Sequence, residues 1–436
     1  MFEKPSPAAA LAWNNGPAQL AKGDAGVTND TPRMNTAPLN ALPRGFRFAA
    51  TNCGLRKAPN LDLGLIIGDE EVTAAGVFTQ NLVQAAPVVL CRRHLHKAAS
   101  RMRAVIVNSR NANCATGEAG VAAAEATAHA VAREIGCDAE QVFVCSTGVI
   151  GIPLRTERIL NVIPALIKAA DRTAEGFGGF TRAIMTTDTR PKWAASRCNL
   201  SGRTIRLLGC AKGAGMIHPN MATMLAYIVT DAAIGSPLLQ RALNLAVRGT
   251  FNSITVDGDT STNDTLLALA SGAAANRTIT RPDAEYRRFL TALENVCRSL
   301  ALQIVADGEG ATRVIEIEVR GAASDDAARQ VASTIAGSSL VKTMFAGADP
   351  NWGRILAAAG RSGIKINPRR TNIYLAGVLT CRGGVEHRFS ERNAHSRMLR
   401  DFVPVRVELG LGRGRACVWT CDFTADYVHI NASYRT

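Results

Sequence analysis

The sequence predicts a layered α/β protein in which helices and strands alternate around one or two hydrophobic cores. The chain has 436 residues, of which 47% are apolar and 20% are charged, and such a composition can bury a large core. Aromatic residues make up only 5% of the chain, so small side chains dominate and allow helices to pack closely on strands. Apolar runs of strand length alternate with longer runs of helical periodicity from residue 46 onward.

Net charge and cysteine content exclude several function classes. The chain has a formal charge of +14 and a pI near 9.6, but its basic residues are scattered, and the densest basic groups lack interleaved aromatic residues. Nucleic-acid binding is therefore not expected, whereas small acidic ligands are compatible with the positive field. Eleven cysteines form no C-x-x-C pair, and no cluster has metal-ligand spacing, so neither a disulfide framework nor a metal site is predicted.

The sequence also lacks membrane and export signals. No apolar run reaches the roughly 20 residues that span a bilayer, and the apolar stretch at residues 8–13 is too short for a signal peptide. A cytoplasmic protein without a membrane partner is therefore expected. Residues 1–45 mix Pro, Ala, Asn, Gly and Thr without an apolar period, which predicts a flexible N-terminal extension.

Strands and helices alternate through the first half of the ordered chain. Strands are predicted at residues 61–67, 74–78, 104–107, 141–145 and 204–210. An Ala-rich helix at residues 121–135 is predicted to end at Gly136, because glycine tolerates the left-handed backbone that terminates helices. Residues 155–170 predict a second helix with a kink at Pro164.

The same alternation continues to the end of the chain. Strands are predicted at residues 224–229, 265–270 and 314–319, with two more between residues 405 and 430 that are joined through Gly410, Gly412 and Gly414. Helices are predicted at residues 237–247 and 283–305, with a further one beginning at residues 349–353. The strand at 224–229 follows a Gly- and Pro-containing loop, and function is expected at that junction.

Thr223, at that junction, is the candidate nucleophile. It opens an apolar strand directly after the loop, a position that can expose its hydroxyl group and strain its own peptide bond. Taken alone it is an ordinary strand threonine, because threonine favours β geometry. No Ser-His-Asp pattern and no G-x-S-x-G elbow offers a better nucleophile.

The residues around Thr223 resemble a known family. The segment Lys212-Gly-Ala-Gly-Met-Ile-His-Pro-Asn-Met-Ala-Thr-Met-Leu225 is similar to the self-processing segment of the ornithine acetyltransferases, the glutamate N-acetyltransferases of arginine biosynthesis. Further motifs match in the family's order from residue 45 to residue 436. They are Gly76-Val-Phe-Thr79, residues 108–117, Cys145-Ser-Thr-Gly-Val-Ile-Gly151, Met185-Thr-Thr-Asp-Thr189, Asp257-Gly-Asp-Thr-Ser-Thr-Asn-Asp264, Asp307-Gly-Glu-Gly310, Asp349-Pro-Asn-Trp-Gly-Arg354 and Trp419-Thr-Cys-Asp422.

The resemblance implies the layered α/β fold of that family and a precursor that cuts its own Ala222–Thr223 bond. Residues 46–222 would form an alpha chain and residues 223–436 a beta chain; the two stay together because their strands flank the cut, and two copies of each would make a heterotetramer. A threonine hydroxyl is too weakly acidic to attack a carbonyl unaided. The freed α-amino group, with a pKa of about 7.7–8.0, can serve as its base.

The implied reaction transfers the acetyl group of N2-acetyl-L-ornithine to L-glutamate through an acetyl-threonine intermediate at Thr223. Each half of the reaction forms an oxyanion, and the resemblance assigns its stabilisation to Thr147 and Gly148. The implied substrate contacts are Thr186, Lys212, Thr223, Glu309, Asn431 and Thr436. The transfer needs no metal and no cofactor; acetyl-CoA is a co-substrate in family members with two activities, and the residues do not decide between one activity and two.

Departures from the family pattern keep other readings open. Arg110 stands where the family commonly has Gly, and Asn52-Cys53 interrupts a segment that is usually small and apolar. A paralogue that keeps the nucleophile and changes the acyl acceptor is one alternative. An amidohydrolase or aminopeptidase, in which water replaces glutamate, is another. A basic nucleic-acid or scaffold protein is disfavoured by the scattered charge.

Overall fold

A computed structural model describes residues 41–218 and 224–432, and these ranges fold into two β-sheets with helices packed on them. The predicted layered α/β class is confirmed. The strands are β1 (Phe46–Thr51), β2 (Leu63–Phe78), β3 (Met102–Asn108), β4 (Val142–Ser146), β5 (Lys192–Leu200), β6 (Arg203–Lys212), β7 (Leu225–Thr230), β8 (Thr265–Ala270), β9 (Val314–Ala322), β10 (Asn372–Leu375), β11 (Val378–Arg382), β12 (Val385–Glu386), β13 (Phe402–Glu408) and β14 (Gly414–Cys421). The helices are α1 (Ala86–Ala98), α2 (Gly117–Ile135), α3 (Thr156–Leu160), α4 (Ile163–Lys168), α5 (Ala174–Ala183), α6 (Ser236–Arg248), α7 (Ala284–Ala306), α8 (Asp325–Ala336), α9 (Ser339–Ala346), α10 (Trp352–Gly360), α11 (Glu391–Met398) and α12 (Ala425–Ala432).

The larger sheet has the strand order β4-β3-β2-β8-β7-β6-β5, and β1 pairs with β2 beside this path. Strand β2 is long and irregular between Ile67 and Val72, so its first half pairs with β1 and β3 and its second half with β8. The pairs β3–β4 and β7–β8 are parallel, and the connections within them contain α2 and α6. The predicted strands at 61–67 and 74–78 are therefore two halves of one strand.

Helices cover both faces of this sheet. Successive side chains of a strand point to opposite faces, so adjacent residues of one strand belong to different cores. Tyr227 and Leu267 pack toward α1 and α5, whereas their neighbours Ile228 and Leu266 pack toward α6 and α7. A further cluster joins α2, α3 and α4 to β2, β3 and β4. These strands are buried on both sides, which explains their nearly continuous apolar sequences.

The second sheet has the order β12-β11-β10-β13-β9-β14. Strand β9, next to the edge strand β14, is parallel to β13 and antiparallel to β14. Helices α8, α9 and α10 pack on it in a separate hydrophobic cluster. Strand β14 also contacts the part of the protein that contains the larger sheet, because the Thr255 N–H donates to the Trp419 carbonyl at 3.0 Å.

Two sequence predictions are wrong in detail. Residues 155–170 form two short helices, α3 and α4, instead of one kinked helix, because Pro164 lies in the first turn of α4, where its missing N–H is tolerated. The two strands predicted between 405 and 430 are present as β13 and β14, on opposite sides of β9. The second strand ends at Cys421, however, and residues 425–432 form helix α12.

Helix α7 is the one helix among the described residues that is long and apolar enough, by length and composition, to cross a membrane. Half of its most apolar window is buried inside the protein. Its residues Phe289, Leu293 and Leu300 belong to the core cluster shared with β6, β7 and β8. These contacts are those of a core helix.

Candidate active site

At Gly148, the loop that follows β4 has a backbone conformation that only glycine can adopt. Gly148 has a φ of 138°, and a Cβ built on it would lie 2.1 Å from the backbone carbonyl carbon of Arg110. Thr147 N donates to Asn108 O at 3.0 Å, and Val149 N donates to Arg110 O at 3.2 Å, so the loop is pinned on both sides of Gly148. Within the described part of the chain, the Gly148 N–H has no acceptor, which leaves it available to a ligand.

Lys212 brings a cation to this loop. It is the last residue of β6 and is buried, and its Nζ donates to Thr147 Oγ1 at 3.3 Å. Burial lowers the pKa of the Lys212 ammonium group, while the carboxylate of Asp188 opposes that shift. In the sheet register Lys212 pairs with Leu225. The strand that begins two residues after Thr223 is therefore aligned with the Lys212–Thr147 contact.

Asp188 organises the residues around Lys212. Its Oδ1 accepts from Gly213 N at 2.7 Å and from Lys192 Nζ at 2.6 Å, and its Oδ2 accepts from Thr186 N at 3.0 Å. Burial would raise the pKa of this carboxyl, but the ammonium groups of Lys192 and Lys212 outweigh it and hold the pKa well below its usual range. Asp188 is thus a buried carboxylate that positions Thr186 and the start, at Gly213, of the loop that follows β6.

The remainder of that loop is held by Glu309 and Asp257. Glu309 N donates to Ala214 O at 2.9 Å, and the Glu309 carboxylate accepts from Asn431 Nδ2 at 2.7 Å. The Asp257 carboxylate accepts from the backbone N–H groups of Met216 and Ile217, the latter at 2.9 Å. Two of the predicted substrate contacts, Glu309 and Asn431, therefore touch each other beside this loop.

Met224, the residue directly after Thr223, is also fixed. Its N–H donates to Asp264 Oδ1 at 2.9 Å, and its carbonyl accepts from Thr265 N at 3.1 Å. Asp264 is fully buried, and its Oδ2 has no hydrogen-bond partner among the described residues. Burial raises the pKa of this carboxyl well above its usual value, although the Met224 N–H and the Lys212 ammonium oppose the shift.

The structure brings together part of the predicted site. Thr147 contacts Lys212 directly, Thr186 reaches it through Asp188, and Glu309 with Asn431 borders the same loop. The predicted residues Ala222, Thr223 and Thr436 lie outside the described residues, as do residues 1–40 of the predicted extension.

Sequence reasoning missed Asp188 as a residue that positions the site. It stands inside a motif that carries the family resemblance, shortly before β5. That position before a strand was the available signal, since a buried carboxylate requires specific partners.

Known proteins resemble this chain over nearly its whole length. A family model described as the ArgJ family matches residues 47–436. The chain belongs to the ArgJ family. The arginine biosynthesis bifunctional protein ArgJ of Geobacter sulfurreducens is 46% identical over 397 residues, covering 90% of this chain and 99% of that protein. The protein of the same name from Geobacillus stearothermophilus is 44% identical over 394 residues, covering 90% of this chain and 95% of that protein. A crystal structure of the Bacillus halodurans ArgJ protein has 46% identity and a TM-score of 0.47, covering 48% of this chain and 98% of that chain.

ArgJ membership confirms the resemblance found in the sequence. It also confirms the predicted class of enzyme, an autoproteolytic acyltransferase of the glutamate N-acetyltransferase type. The fold in which that chemistry takes place is the mixed α/β arrangement described above.

Arg110, which departs from the ArgJ pattern, has a left-handed backbone with φ of 76°. A side chain in that region is strained by about 1–2 kcal/mol relative to its usual conformations, whereas glycine is not. Arg110 is exposed, and its charge adds to the effect of burial in lowering the pKa of the Arg56 guanidinium. We expect Arg110→Gly to stabilise the protein by about 1 kcal/mol in urea unfolding.

Arg155 provides the matched control. It is also exposed, but its φ is −78°, so Arg155→Gly relieves no strain and only adds freedom to the unfolded chain. This variant should be equally or less stable than the parent protein. A loss of stability in Arg110→Gly would contradict the strain argument.

Proposed function

We propose that this ArgJ protein transfers the acetyl group of N2-acetyl-L-ornithine to L-glutamate in arginine biosynthesis, through an acetyl-threonine intermediate at Thr223. The observation that carries the proposal is the contact of Lys212 Nζ with Thr147 Oγ1 at 3.3 Å, at the sheet edge where β7 begins. A buried cation and a hydroxyl group on a strained glycine loop are suited to a reaction that develops negative charge on oxygen.

The nucleophile becomes active when the Ala222–Thr223 bond is cut. The new α-amino group of Thr223 takes the proton from its own hydroxyl as the oxygen attacks the acetyl carbonyl. The oxyanion forms beside Thr147 Oγ1 and the Gly148 N–H. Its collapse breaks the amide bond, and the α-amine delivers the proton to the departing ornithine nitrogen. Glutamate then attacks the acetyl-threonine ester by the same steps in reverse.

The charges around the loop suit the two amino-acid substrates. The acyl donor and the acceptor both carry an α-carboxylate, for which the Lys212 ammonium is the available buried cation. The distant ammonium group of ornithine needs a carboxylate, and Glu309 with its partner Asn431 supplies one. Thr186 and the terminal residue Thr436 complete the proposed contacts.

The family resemblance further supports a cytoplasmic heterotetramer of two alpha chains (46–222) and two beta chains (223–436), preceded by an extension at residues 1–45. No metal or cofactor has a step in this mechanism. Acetyl-CoA is a second acetyl donor if the protein has both activities indicated by the names of its relatives, which are called bifunctional.

The test is a product analysis with N2-acetyl-L-ornithine labelled in its acetyl group. We expect labelled N-acetylglutamate when glutamate is present, parallel lines in double-reciprocal plots, and a labelled beta chain when glutamate is withheld. Acetate release at the same rate with and without glutamate would instead identify an amidohydrolase. Replacing the labelled substrate with labelled acetyl-CoA measures the second activity.

A further inference from the structure

A polar cleft lies where α6, α8 and α10 approach each other, and His218 and Gly258 of the loop region also line it. Its volume is about 510 Å³, within the range of small-molecule sites. The lining includes Arg248 at the end of α6, Asp326, Arg329 and Thr334 on α8, and Arg361 directly after α10. None of the residues proposed for acetyl transfer lines the cleft.

The cleft has an excess of positive charge. Arg248 is paired with Asp326 at 2.7 Å, and this is an exposed pair. Among the described residues, Arg329 and Arg361 have no carboxylate within 4.0 Å. The lining thus has three guanidinium groups and one carboxylate, and the neighbouring Asp325 acts on Arg329 from outside the lining.

Arg329 is held in place before any ligand arrives. Its Nη1 donates to Arg248 O at 3.1 Å and to Ser253 Oγ at 2.7 Å, while its Nε is buried and has no hydrogen-bond partner among the described residues. Because these bonds already fix the guanidinium group, it loses little conformational freedom when an anion binds. Burial, and then the charge of Arg248, lowers the pKa of this group, while the carboxylates of Asp326 and Asp325 oppose the shift.

We propose that this cleft binds a phosphorylated small molecule, with a phosphate or pyrophosphate group held by Arg329, Arg361 and Arg248. Several guanidinium forks match phosphoryl oxygens, and the excess of guanidinium groups over carboxylates in the lining suits a dianion better than a single carboxylate. The volume exceeds that of one phosphate group, so the ligand has further atoms, which the neutral side chains of Gln330, Ser333 and Thr334 can contact. A nucleic-acid strand is a poor match, because the described lining residues include no Phe, Tyr or Trp on which successive bases could stack.

The test is isothermal titration calorimetry of the intact protein at low salt, with pyrophosphate, ADP and succinate as probes. We expect saturable binding of pyrophosphate or ADP at one site per 436-residue polypeptide, weakened as salt rises, and weaker binding of succinate. ADP binding more tightly than pyrophosphate would indicate a nucleotide-like ligand, and equal affinities would indicate recognition of the pyrophosphate alone; both support the proposal.

Arg248→Gln and Arg361→Gln are the diagnostic variants. Each should weaken pyrophosphate binding by about tenfold while leaving the KM for N2-acetyl-L-ornithine unchanged. Arg392→Gln removes an exposed charge on α11 outside the cleft, and its affinity should equal that of the parent protein. The proposal is overturned if no probe saturates, if succinate binds more tightly than pyrophosphate, or if the cleft variants bind as the parent does.

Discussion

A Thr223→Ala protein should remain a single uncut chain of 436 residues, without acetyl transfer activity. In the proposed mechanism this hydroxyl attacks both the preceding amide and the acetyl group, so the cut and the reaction should fail together. Loss of a covalent nucleophile lowers kcat on the order of 10⁶-fold. Intact mass spectrometry would measure the cut, and the labelled-acetyl assay would measure the activity.

Thr223→Ser is the matched control for this prediction. Serine keeps the hydroxyl group and the α-amine, so this variant should still yield two fragments, one beginning at residue 223, with reduced but measurable transfer. Both segments beside residue 223 are anchored, at Ile217 by Asp257 and at Met224 by Asp264. Two fragments from the Thr223→Ala protein would mean that another group performs the cut.

Asp188→Asn is the second substitution with a large expected effect. Lys192 would keep its pair with Asp307, but Lys212 would lose the carboxylate that most favours its charged form. Breaking a buried pair from one side costs about 3–5 kcal/mol, and we expect a loss toward the lower end of that range. The variant should also lose about 10²-fold in kcat/KM, because Asn keeps only one acceptor oxygen and cannot hold both Gly213 and Thr186. Urea unfolding at neutral pH measures the first effect, and steady-state kinetics measures the second.

The pH dependence of the Asp188 contribution has a definite sign. Its folded-state pKa lies below the value of about 3.9 for an unfolded aspartate, so its contribution to the free energy of unfolding is complete above that pH and is lost as pH falls. The stability difference between the parent protein and Asp188→Asn should therefore shrink between about pH 4 and pH 2. A constant difference over that range would contradict the assignment.

Asp264→Asn serves as the control for burial alone. The folded-state pKa of Asp264 is raised, so its ionised form destabilises the protein above about pH 3.9, and Asn removes this cost while keeping an oxygen for the Met224 N–H. We expect little or no loss of stability at neutral pH. A loss as large as that of Asp188→Asn would show that the two carboxylates do not differ as described.

Much of the fold could be predicted because its signals are local. The apolar runs at 204–210 and 265–270 lie within β6 and β8, and Gly136 has the left-handed φ of 69° expected after α2. The C-terminal helix α12 could not be recognised, because Val428 and Ile430 alternate with polar residues as in a strand. Its helical state depends on contacts with distant residues, such as that of Tyr427 with Asp257.

The site could be predicted as a set of motifs but not as a set of contacts. Lys212 and Thr147 are 65 residues apart, and Gly213 is 25 residues from Asp188, so only the sheet register brings these groups together. The motif at residues 185–189 contains both Thr186 and Asp188, but sequence reasoning assigned a role to the first and none to the second. The carboxylate is decisive because it is buried between two ammonium groups, a property that no local pattern records.

The position of β7 and β8 in the larger sheet constrains the order of events in maturation. Both strands belong to the part after residue 223, yet they lie between β2 and β6, which belong to the part before it. Neither part can complete the sheet by itself, because each would leave two rows of backbone hydrogen-bonding groups unpaired. A cut at the proposed bond is therefore expected in a polypeptide that has already folded, and the two pieces it would produce are interleaved in the sheet, so that they could separate only by unfolding.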